Sequence, residues 1–362
     1  MVGRTTVTST KFTLWPGVPL ALASAVLFGA STPFAKVLLG NGLNPWLLAG
    51  LLYFGSGIGL GLLALGRRAL GVQNVEAPLT RSDLVWLALV VLSGGVVGPV
   101  LLMVGLTTTP ASSGALLLNL EGLATMGIAW IVSKENVDHR LLLGAMAILA
   151  GAVLLSWTGT AKGAGLGALA IVGACVAWGV DNNLTRKLSS ADPVQIAMIK
   201  GLVAGITNVV LALLIGAHLP SFSETGSAAV LGFFGYGVSL VLFVFGLRYL
   251  GTARTGAYFS TAPFIGAVLA VVLLHEPLTL KLLIAGALMA LGLYLHLTEA
   301  HAHEHNHEAL DHEHRHVHDE HHQHQHGPDD PVGEPHSHWH RHEPLRHKHP
   351  HYPDLHHRHG HA

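Results

Sequence analysis

The first 297 residues alternate between long apolar runs and short polar connections. A helix that crosses the hydrocarbon core of a bilayer needs about 20 mostly apolar residues. Several of the connections carry residues that commonly end or begin helices, such as Pro45, Pro110 and Pro277. The pattern predicts ten membrane-spanning helices at residues 17–39, 45–66, 84–106, 111–132, 140–157, 165–187, 193–215, 228–248, 252–274 and 280–297.

The continuity of these runs decides between membrane folds. Strands of a membrane β-barrel alternate lipid-facing apolar residues with polar ones, whereas these runs are apolar throughout. The first run continues to Leu39 with no small-residue cleavage site, so it predicts a retained helix rather than a signal peptide. The sequence therefore predicts an all-α membrane protein.

Charged residues are scarce and unevenly placed. They form 11% of the chain, against about 25% in soluble domains. Residues 1–297 contain 15 Lys or Arg and 9 Asp or Glu, whereas residues 298–362 contain 23 of the 27 His. The single cysteine, Cys175, excludes an internal disulfide framework. A soluble enzyme, a nucleic-acid-binding protein and a secreted mini-domain do not fit, and no nucleophile–base pair or phosphate loop supports enzymatic activity.

The basic residues predict the orientation in the membrane, because cytoplasmic connections are enriched in Lys and Arg. With a cytoplasmic N-terminus, eleven basic residues fall on the cytoplasmic side and three, Lys36, Lys162 and Lys281, on the other. Ten spans also place the C-terminus in the cytoplasm. The predicted organisation is a cytoplasmic segment at 1–16, five-helix halves at 17–157 and 165–297, and a cytoplasmic tail at 298–362.

The apolar body contains an internal duplication. The segment LFGASTPFAKVLL at 27–39 parallels AWGVDNNLTRKLS at 177–189, which matches Gly29 to Gly179 and Lys36 to Arg186. Later in each half, Gly105 matches Gly246, Gly114 matches Gly256 and Glu135 matches Glu276. Because each half holds an odd number of spans, the two halves enter the membrane in opposite directions. Inverted repeats of this kind are typical of secondary transporters, although a channel could also be duplicated.

These paired segments resemble the drug/metabolite transporter superfamily, in particular its EamA-type members. The resemblance covers residues 17–297 and implies a ten-helix secondary transporter of the inner or plasma membrane that does not hydrolyse ATP. It does not specify a substrate, since the superfamily handles metabolites, amino acids and drugs. One departure is Glu121, because members of the family usually carry proline at this point, as Pro263 does in the second half. The tail is the other departure.

Ionisable residues inside spans are costly, by roughly 2.5–3.5 kcal/mol on insertion scales, and are therefore candidates for function. Glu121 is the leading one, since it lies about ten residues from either end of the 111–132 helix. A carboxyl at this depth suits a proton-coupling or cation-binding group. The alternative is a structural carboxyl held by a buried base.

Five further polar residues are candidates for the substrate site. Asp181 and Asn182 lie in the inner part of the sixth helix and could line a water-filled cavity or cap the helix end. Lys200, inside the seventh helix, could pair with Asp181 or Glu121, bind substrate, or extend to the interface. Asn119 could line the site or take part in a helix–helix contact. By the symmetry of the two repeats, Tyr258 of the ninth helix could face Glu121. Pro33 and Pro99 could interrupt their helices.

The tail alternates His with other residues and interleaves Asp and Glu, and this composition predicts disorder. Neutral imidazoles bind Ni, Zn, Co or Cu(II), so the tail is expected to bind metal in vitro with low specificity. The membrane body requires no cofactor. The candidate metal ligands are His301, His303, His305, His307, His312, His314, His316, His318, His321 and His322.

The function that fits best is export of a small polar metabolite or drug-like solute, coupled to protons through Glu121. An alternative is a divalent-metal (Ni, Co or Zn) exporter whose tail collects or senses the metal, and a third is a membrane-anchored metal buffer. Ten spans exceed what an anchor needs, and no His lies centrally in a span. The expected partners are the bilayer, a small solute, protons and divalent ions, with no nucleic acid. The sequence leaves the oligomeric state open.

Overall fold

The structure is a computed structural model of the 362-residue chain. It describes residues 17–71, 79–133, 139–157, 165–185, 188, 192–250, 252–297, 301–306, 310–316, 336–342 and 346–351. The predicted N-terminal segment 1–16 lies outside these ranges, as do Glu135, Lys162 and Arg186.

Within these ranges, ten helical spans are long and apolar enough to cross a membrane, which confirms the all-α prediction for the membrane body and makes the chain a multi-pass integral membrane protein. We number them spans 1 to 10 in chain order. Their bounds are Gly17–Gly40, Pro45–Ala69, Arg81–Thr108, Ala111–Val132, His139–Ser156, Leu166–Thr185, Val194–Leu214, Phe222–Gly246, Thr255–Leu273 and Leu280–Leu297.

Local capping explains where several spans begin. Asn44 accepts hydrogen bonds from the backbone of Trp46 and Leu47, and Asp192 accepts one from Val194. Span 8 begins at Phe222, six residues before the predicted start, because the Ser221 and Glu224 side chains form a reciprocal capping box. The polar residues Ser221 and Glu224 therefore mark the start of this helix, although their polarity had suggested a connection.

Spans 3 and 8 share an irregularity at equivalent positions. Span 3 is α-helical over Leu84–Val90, π-helical over Val91–Val97 and α-helical again over Gly98–Thr108. Span 8 repeats this order with Phe222–Gly232, a π-helix at Phe233–Val238 and Ser239–Leu250. The alignment that pairs Gly105 with Gly246 also pairs Gly94 with Gly235, so the duplication extends to backbone geometry. π-Helical turns often mark functional positions.

Spans 4 and 9 are also interrupted at equivalent points. Span 4 consists of Ala111–Leu117 and Leu120–Ser133, joined by a turn at residues 118–119. Span 9 consists of Thr252–Phe259 and Ala262–Leu273, joined by a turn at residues 260–261. Discontinuous helices near the middle of a membrane are typical of transporter substrate sites.

The two prolines expected to interrupt helices behave differently. Pro99 follows the π-helix of span 3 directly and occupies an early position of the next α-helix. Pro33 lies inside span 1, which continues as one α-helix from Gly17 to Gly40. A proline within a span can be accommodated because neighbouring groups satisfy the backbone carbonyl that it leaves free.

The spans pack mainly in the pairs 3 with 6, 2 with 7, 1 with 8, 2 with 8, 5 with 10, 1 with 9 and 4 with 6. Glycines permit the closest approaches. A Cβ atom at Gly57 would lie 2.5 Å from the Leu202 nitrogen, and one at Gly29 would lie 2.4 Å from the Ala262 carbonyl oxygen. Small residues at these crossings thus allow backbone-to-backbone packing. Spans 5 and 10 form a pair at the side of the bundle.

Two charged side chains hold the connection between spans 3 and 4 on the predicted outer side. The Lys36 ammonium donates to the carbonyl oxygens of Leu106 and Thr109, at the carboxyl end of span 3. The Glu276 carboxylate accepts from the backbone nitrogens of Ala111 at 2.6 Å and Ser112 at 2.9 Å. A cation at a helix C-terminus and an anion at a helix N-terminus both complement the helix dipole. Neither residue is therefore free to bind solute.

The tail differs from the predicted disorder in four short segments. Strands His301–Asn306 and Arg346–His351 pair antiparallel, as do Leu310–His316 and His336–His342. The alternating His-x-His pattern has the two-residue period of a strand, which an argument from composition does not capture. The predicted metal ligands His307, His318, His321 and His322 lie outside the described residues.

Candidate functional site

Glu121 lies at the interruption of span 4. The nitrogens of Leu118, Asn119 and Glu121 each donate to the carbonyl three residues earlier, so the helix tightens into a 3₁₀-like turn at this point. Glu121 consequently occupies the first turn of the second half-helix, Leu120–Ser133. The backbone dipole at this N-terminus favours a negative charge.

The Glu121 carboxylate is held by neutral groups. The Asn182 side-chain amide of span 6 donates to Glu121 Oε1 at 3.1 Å and to Thr125 Oγ1 at 3.1 Å. The Thr125 hydroxyl in turn donates to the Glu121 carbonyl oxygen at 2.9 Å. Among the described residues, the Glu121 carboxylate forms no ion pair. The alternative of a structural carboxyl held by a buried base is therefore not found among the described residues.

Several neighbours place Glu121 inside the bundle rather than at its lipid surface. Its carboxylate is hydrogen-bonded to Asn182 of span 6, and the preceding residue, Asp181, pairs with Lys200 of span 7. The Glu121 side chain is half-buried and Asn182 is exposed. Both side chains therefore keep accessible surface at this contact between spans.

An ion pair lies next to this carboxylate. The Lys200 ammonium donates to Asp181 Oδ2, and the Thr185 hydroxyl donates to Asp181 Oδ1 at 3.4 Å. Asp181 is 5% exposed, and the Lys200 side chain is 17% exposed. Of the alternatives for Lys200, the structure shows the pairing with Asp181. Since Asn182 follows Asp181 in the chain, span 6 connects this ion pair to Glu121.

The π-helix of span 3 supplies backbone acceptors to the same region. The Gly94 carbonyl oxygen accepts from the Tyr53 hydroxyl at 2.8 Å and from Trp178 Nε1 at 3.0 Å. The Gly95 carbonyl oxygen accepts from the Asn208 amide at 3.1 Å. These bonds fix the orientations of Tyr53 and Trp178 beside the ion pair, and they explain why span 3 deviates from a regular helix here.

Aromatic rings form a continuous series on the other side of the region. The ring centroids of Tyr53 and Tyr236 are 5.5 Å apart, and those of Tyr236 and Phe28 are 5.8 Å apart. Phe28 continues to Phe259 at 5.3 Å, and Phe259 to Phe243 at 4.9 Å. We call these five residues the aromatic series. It connects spans 1, 2, 8 and 9, whereas the charged groups are on spans 4, 6 and 7.

Asn119 is placed elsewhere, and the position of Tyr258 opposite Glu121 stays a prediction. The Asn119 amide donates to the Leu116 carbonyl oxygen at 2.8 Å and contacts the Met289 sulfur at 3.9 Å, so it lies in a contact with span 10. The Tyr258 ring and hydroxyl form no ring pair or hydrogen bond within the described part of the chain. Glu121, Asp181, Asn182 and Lys200, by contrast, are brought together.

Sequence reasoning missed Tyr53, Trp178 and the aromatic series. A signal was present for Trp178, which stands at the position of Phe28 in the duplicated segment and three residues before Asp181. The aromatic series has no sequence signal, because its members come from four spans and single aromatic residues are common in apolar helices. Only the packing of the spans shows that these rings are neighbours.

Neither a metal-binding cluster nor the large apolar cavity between spans 4, 5 and 6 coincides with this region in the described part of the chain. No group of three or more His, Cys, Asp or Glu side chains that could hold a metal ion occurs among the described residues. A cavity of about 820 Å³ lies between spans 4, 5 and 6, with Trp130 and His139 at one end and Trp157 at the other. Its lining is almost wholly apolar, in contrast to the polar groups around Glu121.

Comparisons with known proteins agree with this architecture. The chain matches the EamA-like transporter family over residues 15–157 and again over 165–298. It is 27% identical over 295 residues to an uncharacterized transporter of Methanothermobacter thermautotrophicus, covering 78% of this chain and 85% of that protein. A crystal structure superposes with a TM-score of 0.56 at 21% identity, covering 77% of this chain and 95% of the other. That last likeness concerns the fold alone.

Proposed function

Because the chain belongs to the EamA-like transporter family, we propose that it is a secondary active exporter of a small polar metabolite or drug-like solute, coupled to protons through Glu121. The exporting membrane would be the inner or plasma membrane, with both termini in the cytoplasm. The observation that carries the proposal is the Glu121 carboxylate, which lies at an interrupted helix, is half-buried and is held only by neutral groups of the described residues.

Proton coupling requires a group that exchanges its proton when the solute is released. Glu121 meets this requirement because it carries no counter-ion of its own among the described residues. Among the described residues, the charged and titratable groups that interact with it electrostatically are Asp181, Lys200, Tyr53, Tyr236 and Cys175. Asp181 and Lys200 neutralise one another. Glu121 is therefore the proposed coupling residue, and the Asp181–Lys200 pair is proposed to position Asn182 beside it.

We expect Glu121→Gln to abolish proton-driven export while retaining exchange of solute for solute. The amide keeps the size and the hydrogen bond to Asn182 but cannot release a proton. Transported solutes would first be identified by mass spectrometry of the medium around cells with and without the protein. Export would then be measured in proteoliposomes, where a difference of one pH unit sustains up to about a tenfold gradient for one-to-one exchange.

The matched control is Asn119→Leu, a polar residue of the same span that faces span 10 instead. It is expected to leave the pH dependence of export unchanged. Equal pH-driven accumulation by wild type and Glu121→Gln would refute the coupling role. If neither protein changed the concentration of any solute, the assignment of an exporter would be wrong.

A second candidate function, export of a divalent metal, rests on the tail. Backbone pairing sets His opposite His at His301 and His351, His303 and His349, and His305 and His347, a distribution suited to Ni, Zn, Co or Cu(II). The test is the cellular Ni, Co and Zn content in cells that express the full chain, a chain ending at Glu299, or Glu121→Gln. A metal lowered by the full chain and not by Glu121→Gln would favour this function. Loss of the effect on truncation alone would assign the tail as collector, and accumulation that requires the tail would leave it a buffer.

A further inference from the structure

The four strands of the His-rich tail share one register. The outer strand pair joins His301–Asn306 to Arg346–His351, and the inner strand pair joins Leu310–His316 to His336–His342. Both are symmetric about residue 326, because His301 and His351 lie 25 residues to either side of it and His316 and His336 lie 10 residues to either side. The inner strand pair therefore continues the register of the outer one.

This register places histidine opposite histidine six times. The facing pairs are His301 with His351, His303 with His349, His305 with His347, His312 with His340, His314 with His338 and His316 with His336. Successive residues of a strand alternate between the two faces of a sheet. The three His pairs of each strand pair therefore occupy positions on one face.

The sequence changes phase in step with this register. Histidines have odd numbers in the strand His301–Asn306 and even numbers in the strand Leu310–His316. The returning chain makes the matching change, with even numbers in His336–His342 and odd numbers in Arg346–His351. A change on one side alone would set the histidines opposite other residues. A His-rich composition does not by itself require the two changes to match.

Residues between the histidines also match across the strands. Glu304 lies opposite Lys348, and Asp311 lies opposite Arg341. Opposite charges at facing positions stabilise an antiparallel pair. A slip of one residue would separate these charges and would also move every histidine away from its partner. Both faces of the strands thus favour the same register.

Facing positions of an antiparallel pair suit chelation by two imidazoles. Their Cβ atoms are about 4.5–5.5 Å apart, whereas histidines two residues apart on one strand are separated by about 7 Å. Imidazole nitrogen binds Zn at about 2.0–2.1 Å, and Ni and Cu(II) also take imidazole ligands. We propose that each facing His pair binds one Ni, Zn or Cu(II) ion, so that the tail forms a row of six two-histidine sites, which we call the His ladder.

Two protein ligands leave the other coordination positions to water. Structural zinc sites are closed by four protein ligands, and the described residues provide no group of three or more His, Cys, Asp or Glu side chains that could hold an ion. The His ladder therefore suits ions that are loaded and released rather than ions that are held permanently. The inference goes beyond the proposed function, because it concerns the tail alone and holds whether the membrane body exports a metabolite or a metal.

Two variants that lose equal numbers of histidines separate the effect of register from that of composition. The paired variant carries His301→Gln, His303→Gln, His349→Gln and His351→Gln, which removes two whole pairs and leaves four. The split variant carries His301→Gln, His303→Gln, His336→Gln and His338→Gln, which breaks four pairs and leaves two. Each variant keeps 23 of the 27 histidines (27 − 4).

The measurement is Ni²⁺ bound to the purified full chain, by equilibrium dialysis and elemental analysis after a chelator has removed residual metal. We expect the wild type to bind about two more Ni²⁺ ions per chain than the paired variant, and the paired variant about two more than the split variant. Mg²⁺ is expected not to compete, because it prefers oxygen ligands. Equal Ni²⁺ binding by the two variants would show that the number of histidines decides binding, and would overturn the His ladder.

A second readout follows the backbone of the tail. An ion that joins two strands binds only their paired arrangement and stabilises it by mass action. Saturating Ni²⁺ is therefore expected to slow amide hydrogen exchange at least tenfold in the four strands of the wild type. Exchange that Ni²⁺ leaves unchanged would mean that ions bind without joining the strands, which would also contradict the proposal.

These outcomes are separate from those that test the proposed function. The expected differences in Ni²⁺ binding, together with a cellular metal content that the full chain does not change, would support the His ladder and contradict metal export. Both tail variants are expected to export a metabolite as the wild type does, since all of their substitutions lie outside the membrane body.

Discussion

Gly232→Ala is expected to destabilise the bundle strongly. A Cβ atom at this position would lie 2.0 Å from the Leu52 carbonyl oxygen and 2.6 Å from the Leu52 carbonyl carbon. Because these are backbone atoms of span 2, no side-chain rotation relieves the overlap, and spans 2 and 8 must separate. Overpacking in a close-packed interior costs about 1–3 kcal/mol and occasionally more, and a backbone contact falls at the upper end.

The measurement is the thermal unfolding midpoint of detergent-purified protein, together with the amount of monodisperse protein recovered. Gly226→Ala is the matched control, since it lies in the same helix and a Cβ atom there would meet nothing within 4 Å. That variant is expected to be neutral or stabilised by up to about 1 kcal/mol, because alanine has the higher helix propensity. Similar midpoints for the two variants would show that spans 2 and 8 are not packed as described.

Removing one member of the Asp181–Lys200 pair is expected to destabilise the protein by about 3–5 kcal/mol, because the other charge is left buried and unpaired. Asp181→Asn leaves the ammonium, and Lys200→Met leaves a second carboxylate near Glu121. The double variant removes both charges and is expected to recover most of the loss, since buried ion pairs add little net stability over uncharged groups.

The thermal unfolding midpoints of the wild type, the two single variants and the double variant form a double-mutant cycle. Lys281→Met serves as a control for loss of a lysine at the membrane boundary, where the ammonium donates to the Trp157 carbonyl oxygen. It is expected to change stability far less than Lys200→Met. A double variant that loses as much as the two single variants together would mean that the two charges act independently.

The spans were predicted well from the sequence because each of them is a long apolar run. Twenty consecutive apolar residues outweigh any local preference, so all ten spans were located and most of their ends were within a few residues. The start of span 8 was misplaced because hydropathy undervalues a polar segment that begins a helix. The S-x-x-E spacing of Ser221 and Glu224 was available as a signal for that start.

Backbone irregularities were harder to predict. Nothing in the hydropathy of Val91–Val97 distinguishes a π-helix from an α-helix, and the interruption before Glu121 occurs without a proline. Conversely, Pro33 suggested an interruption that span 1 does not have. These features depend on what neighbouring spans donate to the carbonyls, as Tyr53 and Trp178 do for Gly94, and so they follow from packing rather than from local sequence.

The charged part of the site was predicted in part. The cost of placing Glu121, Asp181 and Lys200 in a membrane marked all three as candidates, and the pairing of Lys200 with Asp181 was one of the alternatives. Spacing along one helix could not decide whether Asp181 or Glu121 is the partner of Lys200, because the two acids lie on different spans. Tyr258 was proposed from repeat symmetry, which fixes depth in the membrane but not the direction of a side chain.

The charged residues of the site also distinguish one half of the protein from the other. Asp181 corresponds to Ser31, Glu121 to Pro263 and Lys200, seven residues after Pro193, to Leu52, seven residues after Pro45. Identical halves would give inward- and outward-open conformations of equal free energy, since the repeat symmetry exchanges them. With charges in only one of each matched pair of positions, that degeneracy is lost. A difference of only about 1.4 kcal/mol makes one conformation ten times more populated, so these three positions are among the differences between the halves that can set a resting orientation of the unloaded protein.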